Sequence, residues 1–165
     1  MRNFFFLLLA ATLLLGAAPL LRAQGPDISI LPIDPVKVSP GKASSFTVTF
    51  RINPGYHINS NKPYSDLLIA TQLKLFPPTE FMISGITYPP GEEMSLPAMP
   101  EERLSVYSGT VTLTGQLHAA RNASRGTFRV HGSLVYQACS DRQCFPPKTA
   151  PLAIDVKVSA APKPR

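Results

Sequence analysis

The chain has 165 residues, of which 44% are hydrophobic and 16% charged, and its formal net charge is +6. This length suits a single domain. The lysines and arginines are scattered, without a basic cluster or an interleaved aromatic stripe, so we expect no nucleic acid among the partners.

The first predicted element is a secretory signal peptide over residues 1–23. Arg2 precedes a run from Phe4 to Leu15 that is apolar except for Thr12, and the segment ends at a small residue, Ala23, where cleavage is expected. The run is too short to span a bilayer, and no run of about eighteen apolar residues occurs later in the sequence. We therefore predict an exported chain of 142 residues and charge +4, without a membrane span, in an oxidising compartment.

Most of the remaining sequence has apolar residues at every second position, the period of a half-buried β-strand. The clearest segments are FTVTFRI, VTLTGQL and LAIDVKV. In chain order, strands are predicted at Ile28–Ile33, Phe46–Ile52, Tyr56–Ser60, Phe81–Tyr88, Val111–Leu117, Thr127–Tyr136 and Leu152–Val158. Residues 66–76 fit a short helix or a strand, and the alternation of Leu73 and Leu75 favours a strand.

Residues 88–103, YPPGEEMSLPAMPEER, interrupt the strand pattern. They contain four prolines and four acidic residues without periodicity, so we predict a long solvated loop, and such loops are often functional. Elsewhere, prolines and glycines separate the strands at intervals typical of an all-β sandwich. We predict an immunoglobulin-like antiparallel β-sandwich over residues 24–158, followed by a disordered tail over residues 159–165.

Both cysteines lie in the string VYQACSDRQCFPPK, with Cys139 at the end of a strand and Cys144 across a four-residue turn. In an exported chain they can form one disulfide. A bridge over so short a loop stabilises a fold by about 2 kcal/mol, against about 5 kcal/mol for a 100-residue loop. Arg142 and Lys148 are placed to stabilise a thiolate here, whereas Asp141 opposes them.

Spacing alone leaves three interpretations of this pair open. In the first, the two cysteines form a structural clip. In the second, they form a disulfide that exchanges with other thiols, and in the third they bind a metal together with His57, His118 or His131. The metal interpretation is the weakest, because no histidine lies at short ligand spacing from the cysteines. With no histidine near the cysteines in sequence, we predict no metal. The sequence also lacks a nucleophile elbow and a glycine-rich phosphate loop, so we predict no cofactor.

The segment YQACSDRQCFPPK, followed by the strand PLAIDVKV, resembles the active-site hairpin of the N-terminal periplasmic domain of the DsbD thiol-disulfide interchange proteins. The similarity continues upstream, in the family's order, through FTVTFRI, PGYHIN, YPPGEE and VYSGTVTL. It implies an immunoglobulin-like sandwich in the periplasm whose cysteines carry electrons. It also implies that Cys144 forms the mixed disulfide with partners and that Cys139 resolves it.

The same resemblance implies a set of neighbours around the cysteines. His57 and Asn59 match strand positions that are aromatic in the best-known members. Tyr136 precedes the cysteine pair, and Phe145, Pro146 and Pro147 match the tract that follows it. The family's cap loop, which shields the pair, corresponds to residues 88–103, where the proposed cap residues are Met94, Leu96, Met99 and Glu102.

The family's full-length proteins continue into a membrane domain and a thioredoxin-like domain, whereas this sequence ends at Arg165. We therefore expect a component of a thiol-disulfide oxidoreductase system that passes electrons through a reversible Cys139–Cys144 disulfide. Its expected partners are a separate membrane electron transporter or a thioredoxin-like redox protein, and periplasmic client proteins with disulfides. The alternative is a non-catalytic secreted β-sandwich that binds or assembles with other proteins and carries a clip disulfide.

Overall fold

The computed structural model describes residues 27–96 and 99–160. The predicted signal peptide and the last five residues of the predicted tail lie outside the described residues. The described part contains twelve strands and no helix. Accordingly, it includes no helical segment with the length and apolarity that a membrane crossing requires.

The strands form three four-stranded sheets. In chain order they are β1 (Ile28–Ile30), β2 (Val36–Val38), β3 (Ala43–Ile52), β4 (His57–Asn59), β5 (Gln72–Phe76), β6 (Phe81–Thr87), β7 (Glu92–Leu96), β8 (Met99–Tyr107), β9 (Thr110–Ala119), β10 (Gly126–Tyr136), β11 (Ala138–Cys139) and β12 (Lys148–Val158). Sheet 1 has the order β1-β3-β9-β6, sheet 2 the order β2-β12-β10-β5, and sheet 3 the order β11-β4-β8-β7. The described pairs are antiparallel except β2 and β12, which run parallel.

The long strands of sheets 1 and 2 confirm the predicted period of two. On β3 the predicted face is buried, with Phe46, Val48, Phe50 and Ile52 each 3% exposed or less. Gly115 interrupts the apolar face of β9, because a Cβ there would collide with the Phe46 ring. The alternation in the sequence therefore identifies the core face, and Gly115 leaves space on that face for the Phe46 ring of the neighbouring strand.

Sheets 1 and 2 enclose one hydrophobic core, which confirms the predicted sandwich. Phe50 and Leu113 from sheet 1 belong to the same buried cluster as Leu134 and Ile154 from sheet 2. The sheets also meet where Phe81 of β6 packs edge-on against Phe128 of β10, with ring centroids 5.1 Å apart. Each fully buried side chain of this size contributes about 1.5–3 kcal/mol, so the core supplies the main stabilisation.

Two predicted segments differ in detail. Residues 72–76 form a strand beside β10, as the leucine alternation favours. The predicted strand Ile28–Ile33 instead ends at Ile30, where β1 pairs with β3 in sheet 1. The chain then crosses to sheet 2, where β2, which was not predicted, pairs with β12. Pro32 and Pro35 lie in this crossing, where their missing N–H groups interrupt no ladder.

The predicted loop over residues 88–103 is wrong, since these residues contribute to the β7–β8 hairpin of sheet 3. Ser95 lies opposite Arg103 and Leu96 opposite Met99, so residues 100–102 form a bulge that accommodates a proline. The hairpin buries a small separate cluster, Leu104 and Val106, with Met94 packed against it. The hairpin shows no apolar alternation in the sequence, because its charged side chains, Glu92, Glu93, Glu101, Glu102 and Arg103, are exposed on both strands.

Candidate functional site

The two cysteines and one histidine form a row across three neighbouring backbone segments. Cys139 in β11 lies opposite His57 in β4 on one side. On its other side it forms an isolated antiparallel bridge with Cys144. Residues directly opposite one another project their side chains to the same face of a sheet, so Cys139 lies between His57 and Cys144.

Cys139 and Cys144 form a disulfide, with their Cα atoms 3.9 Å apart. The intervening turn is closed by a hydrogen bond from the Ser140 amide to the Gln143 carbonyl, 2.8 Å long. The Ser140 hydroxyl also accepts hydrogen bonds from the amides of Arg142 and Gln143. The turn therefore holds the two sulfur-bearing residues together without contributing to the main core.

The two sulfur-bearing residues differ in their access to solvent. Cys139 is 0% exposed, whereas Cys144, next to the turn, is exposed. Thiol-disulfide exchange requires a thiolate to attack one sulfur and displace the other. An attacking thiolate in solvent thus reaches Cys144 rather than Cys139.

His57 lies buried beside the disulfide, with 3% of its surface exposed. Its Nε2 atom has no hydrogen-bond partner among the described residues. Burial lowers the pKa of His57 below its ordinary value of 6.5, and the negative charge of Asp141 in the turn acts in the opposite direction. The imidazole is therefore neutral at neutral pH and has a nitrogen available to bind a proton.

A clasp of side-chain amides connects the site to the neighbouring loop. Asn59 Nδ2 donates to Gln137 Oε1 at 3.0 Å and to the Ile69 carbonyl at 3.1 Å. Gln137 Oε1 also accepts from the Ile69 amide, and Gln137 Nε2 donates to the Phe145 carbonyl at 3.2 Å. This amide clasp, formed by Asn59 and Gln137, holds together β4, the loop before β5 and the segment after Cys144.

The tract after Cys144 is anchored at its first residue. The Phe145 amide donates to the Ala138 carbonyl at 2.8 Å, and the Phe145 ring lies 5.9 Å from that of Tyr56. Pro146 and Pro147, which follow, are exposed. The structure therefore brings the predicted neighbours Phe145, Pro146 and Pro147 to the edge of the site.

Tyr136 belongs to a second polar group next to the site. Its side chain is buried, and its pKa is raised to about 12 by burial, with further contributions from the charge and hydrogen bond of Asp27. Lys148 Nζ lies 2.6 Å from Asp27 Oδ2. The positive charge of Lys148, expected from the sequence to stabilise a thiolate, is thus bound to the buried Asp27 instead.

The two other histidines of the metal interpretation lie on other sheets. His118 in β9 is within 2.8 Å of the Ser84 hydroxyl, and His131 is exposed on β10. The described residues include no group of three or more potential ligands arranged for a metal ion. Of the three histidines, only His57 is brought to the cysteines.

The proposed cap residues lie on the hairpin at the opposite edge of sheet 3. Strand β4 separates the hairpin from β11, Met94 packs against Leu104 and Val106, and Glu102 is exposed. The side chains of Leu96 and Met99 lie outside those that the structure describes. Shielding of the disulfide by this hairpin therefore remains a prediction, and it concerns Leu96 and Met99 at the hairpin tip.

Sequence reasoning missed Gln137 and Asp27. Gln137 stands two positions before Cys139, and the period of two places both on one face of the chain. That signal was present in the sequence. Asp27 had no local signal, because it reaches Lys148 across 121 positions of sequence.

Comparisons with known proteins identify similar domains. The family model described as thiol:disulfide interchange protein DsbD, N-terminal, matches residues 29–155. No curated protein matches the chain. Among solved structures, the reduced N-terminal domain of DsbD from Neisseria meningitidis is 21% identical, with a TM-score of 0.46, and the match covers 68% of this chain and 78% of that one.

A second solved structure supports the sandwich fold. The N-terminal periplasmic domain of ScsB from Proteus mirabilis is 16% identical, with a TM-score of 0.51. The match covers 73% of this chain and 43% of that one, so the chain corresponds to less than half the length of that structure. At this identity the likeness concerns the fold.

Proposed function

Because the chain belongs to the family of DsbD N-terminal thiol-disulfide interchange domains, we propose that it passes electrons through a reversible Cys139–Cys144 disulfide in the periplasm. The observation that carries this proposal is the unequal exposure of a disulfide-bonded pair: Cys144 is open to solvent and Cys139 is fully buried. A pair arranged in this way offers one sulfur for attack and keeps the other as the internal leaving group.

Reduction of the domain begins when a donor thiolate attacks Cys144 Sγ. A donor–Cys144 disulfide forms, the Cys139–Cys144 bond breaks, and Cys139 leaves with the electron pair. The donor's second thiolate then attacks the donor sulfur of the mixed disulfide and releases Cys144. Two electrons have moved to the domain, and the donor dithiol has become a disulfide.

Transfer to a client follows the same chemistry in reverse. The Cys144 thiolate attacks the client disulfide and forms a client–Cys144 bond. Cys139 then attacks Cys144 Sγ, which restores the internal disulfide and releases the client as a dithiol. The burial of Cys139 suits this role, since a shielded sulfur meets Cys144 before it meets another protein.

The proposed partners are a thioredoxin-like redox protein or a separate membrane electron transporter on the donor side, and disulfide-containing periplasmic proteins on the client side. Membership of the interchange family supports this assignment. The periplasmic location draws further support from the solved ScsB domain, which is described as periplasmic.

Single-cysteine variants test the roles of the two sulfurs. In Cys139→Ala, Cys144 is expected to capture a single-cysteine variant of a thioredoxin-like protein, activated as its thionitrobenzoate disulfide, as a stable mixed disulfide, because neither protein retains a second thiol to resolve it. Cys144→Ala is expected to capture at least about tenfold less, because its remaining thiol is buried. Trapping is measured by non-reducing electrophoresis and intact mass, and equal trapping by the two variants would overturn the role assignment.

A further inference from the structure

We propose that His57 is a catalytic residue that takes the proton from the Cys139 thiol when Cys139 resolves the mixed disulfide. This inference rests on the proposed function and adds a proton acceptor to it. It follows from three features of the described residues: the row across the sheet, the burial of Cys139 and the unpartnered nitrogen of His57.

The row determines which sulfur His57 serves. His57 and Cys139 are directly opposite one another on antiparallel strands, a position that brings Cβ atoms to about 4.5–5.5 Å on one face. Cys144 lies on the far side of Cys139 in the same row. The imidazole is therefore next to the resolving sulfur and one strand further from the attacking sulfur.

Burial explains why Cys139 needs a base. The thiolate is the nucleophile, and a thiol in apolar surroundings resists the loss of its proton. Cys139 is 0% exposed, so the proton has no direct path to solvent. Lys148, the nearest lysine in sequence, is held by Asp27 and does not stabilise a thiolate at this position.

His57 provides the acceptor. Its buried Nε2 has no other partner among the described residues, and a buried nitrogen without a hydrogen bond is rare enough in folded proteins to require an explanation. Burial keeps the ring neutral and able to accept a proton. A base of this kind, within reach of the group that it deprotonates, is the arrangement that general base catalysis requires.

The charged groups around His57 favour the protonated ring once the proton has moved. Asp141, in the turn between the cysteines, acts on His57 with a negative charge. On the other side, β8 pairs Tyr107 with Ile58, the residue after His57, and Ser108 donates a hydrogen bond to the carboxylate of Glu92. Arg142, the cation in the same turn as Asp141, is exposed to solvent.

The step balances in atoms and electrons. The S–H bond of Cys139 breaks, and its proton passes to His57 Nε2. Cys139 Sγ forms a bond to Cys144 Sγ, and the client–Cys144 disulfide breaks with its electron pair on the client sulfur. The client is reduced and the cysteine pair is oxidised. The proton on His57 then passes to the departing client thiolate or to solvent.

The experiment separates formation of the mixed disulfide from its resolution. The reduced protein is mixed with glutathione disulfide, quenched with acid at increasing times and examined by intact mass, which distinguishes the glutathione adduct from the internal disulfide. His57→Gln is compared with the wild type and with His131→Gln, a matched control at an exposed histidine. His57→Asn provides a second variant at the same position.

We expect adduct formation at Cys144 to be unchanged in the His57 variants and its resolution to be slowed by about 10²-fold. The residual rate of the variants should rise about tenfold per pH unit, because it depends on the thiolate fraction of Cys139. In the wild type the rate should level off once His57 is neutral. Equal resolution rates and pH profiles in the wild type and the variants would overturn the assignment to His57.

Failure of the proposed function gives a different result. If Cys139→Ala forms no glutathione adduct, the exchange function itself is wrong, and the role of His57 is overturned with it. If the His57 variants do not fold, the wild-type profile decides. The wild-type resolution rate must fall on acidification, and its pH midpoint must equal the pH at which His57 is half protonated. NMR of the glutathione adduct of Cys139→Ser measures that second value. A resolution rate without this midpoint overturns the proposal.

Discussion

At the scale of single residues, burial distinguishes three side chains that lie in one row across the sheet. Cys144 is exposed and open to attack, Cys139 is buried beside it, and His57 is buried one strand further on. For His57 the same burial has a measurable thermodynamic consequence, because the folded protein holds the imidazole in its neutral form and lowers its pKa.

The first residue-scale prediction concerns stability and pH. The unfolded chain protonates His57 near pH 6.5, whereas the folded protein does so only at lower pH. Between these two pKa values the unfolded state binds more protons, so the free energy of unfolding falls on acidification by up to ~1.4 kcal/mol per pH unit. The contribution of His57 is thus fully present above pH 6.5 and is lost as the pH falls through the folded pKa.

Denaturant unfolding of the oxidised protein from about pH 8 to about pH 5 measures this effect. The wild type and His131→Gln should lose stability over the lower part of that range, and His57→Gln should lose less. Parallel curves for the wild type and His57→Gln would show that burial does not shift the titration of this imidazole.

Sequence reasoning identified the site residues unevenly, for physical reasons. The cysteine pair was visible from its spacing, and His57 and Asn59 from family resemblance. The resemblance placed His57 near the cysteines, but no residue pattern predicted that it lies directly opposite Cys139. That pairing depends on the register of β4 against β11, and the two residues are 82 positions apart in the sequence. The pairing of Lys148 with Asp27 was hidden for the same reason.

At the scale of elements, the site depends on short strands that hydrogen bonds from side chains hold in place. β11 has two residues and β4 has three, too few for their ladder alone to fix a position. The amide clasp of Asn59 and Gln137 supplies the additional bonds to the loop before β5 and to the segment after Cys144.

Removal of the clasp should loosen both attached segments. In Gln137→Leu the Ile69 amide loses its acceptor, and the Asn59 amide loses a partner in a partly buried site. We expect a loss of about 1–3 kcal/mol in the free energy of unfolding and at least about tenfold faster hydrogen exchange at the Ile69 amide. Gln143→Leu, in the exposed turn, is the control. Unchanged exchange at Ile69 would mean that the clasp does not order this loop.

The β7–β8 hairpin shows where an element escapes sequence analysis. Its pairing is regular over Glu92–Ser95, yet one face carries only Met94 and the small cluster beneath it. Strand alternation is recognisable when a whole face is buried in a core. Here the buried face is short and prolines stand at the tip, so the segment was predicted as a loop.

Shielding of the disulfide by this hairpin is tested at its tip. If Leu96 and Met99 cover the sulfurs, then replacing both with Ser should accelerate reduction by dithiothreitol, since a small thiol would meet less obstruction. Leu67→Ser, on the neighbouring loop and 91% exposed, controls for the loss of apolar surface. The three proteins are compared at matched circular dichroism, and equal rates would leave the hairpin without a shielding function.

At the scale of the whole molecule, the sandwich was predictable, whereas in the sheet of the cysteine pair β4 was predicted and the β7–β8 hairpin was not. Sheets 1 and 2 bury continuous alternating faces, so their strands and the sandwich followed from the period of two. Sheet 3 consists of short or weakly apolar strands whose positions depend on the rest of the fold. The sheet that holds the cysteine pair is therefore the one with the weakest strand signal in the sequence.

The sandwich also determines how much the disulfide matters for stability. A five-residue separation closes a small ring, worth about 2 kcal/mol, against a total of about 5–15 kcal/mol for a domain of this kind. The turn residues Ser140 to Gln143 are not part of the main core cluster, although Ala138 before them belongs to it and Phe145 after them packs against it. We therefore expect the fold to persist when the disulfide is reduced, as a carrier that alternates between two redox states requires.

Equilibration of the native protein in a series of glutathione redox buffers tests the central claim most directly. The fraction of reduced cysteines is measured by alkylation and intact mass, and the fold by circular dichroism in the same samples. The account predicts a single reversible two-electron transition, with a tenfold change in the equilibrium constant per ~30 mV, while the sandwich stays folded throughout. Reduction that occurs only in denaturant would contradict it and would identify the Cys139–Cys144 bond as a structural clip.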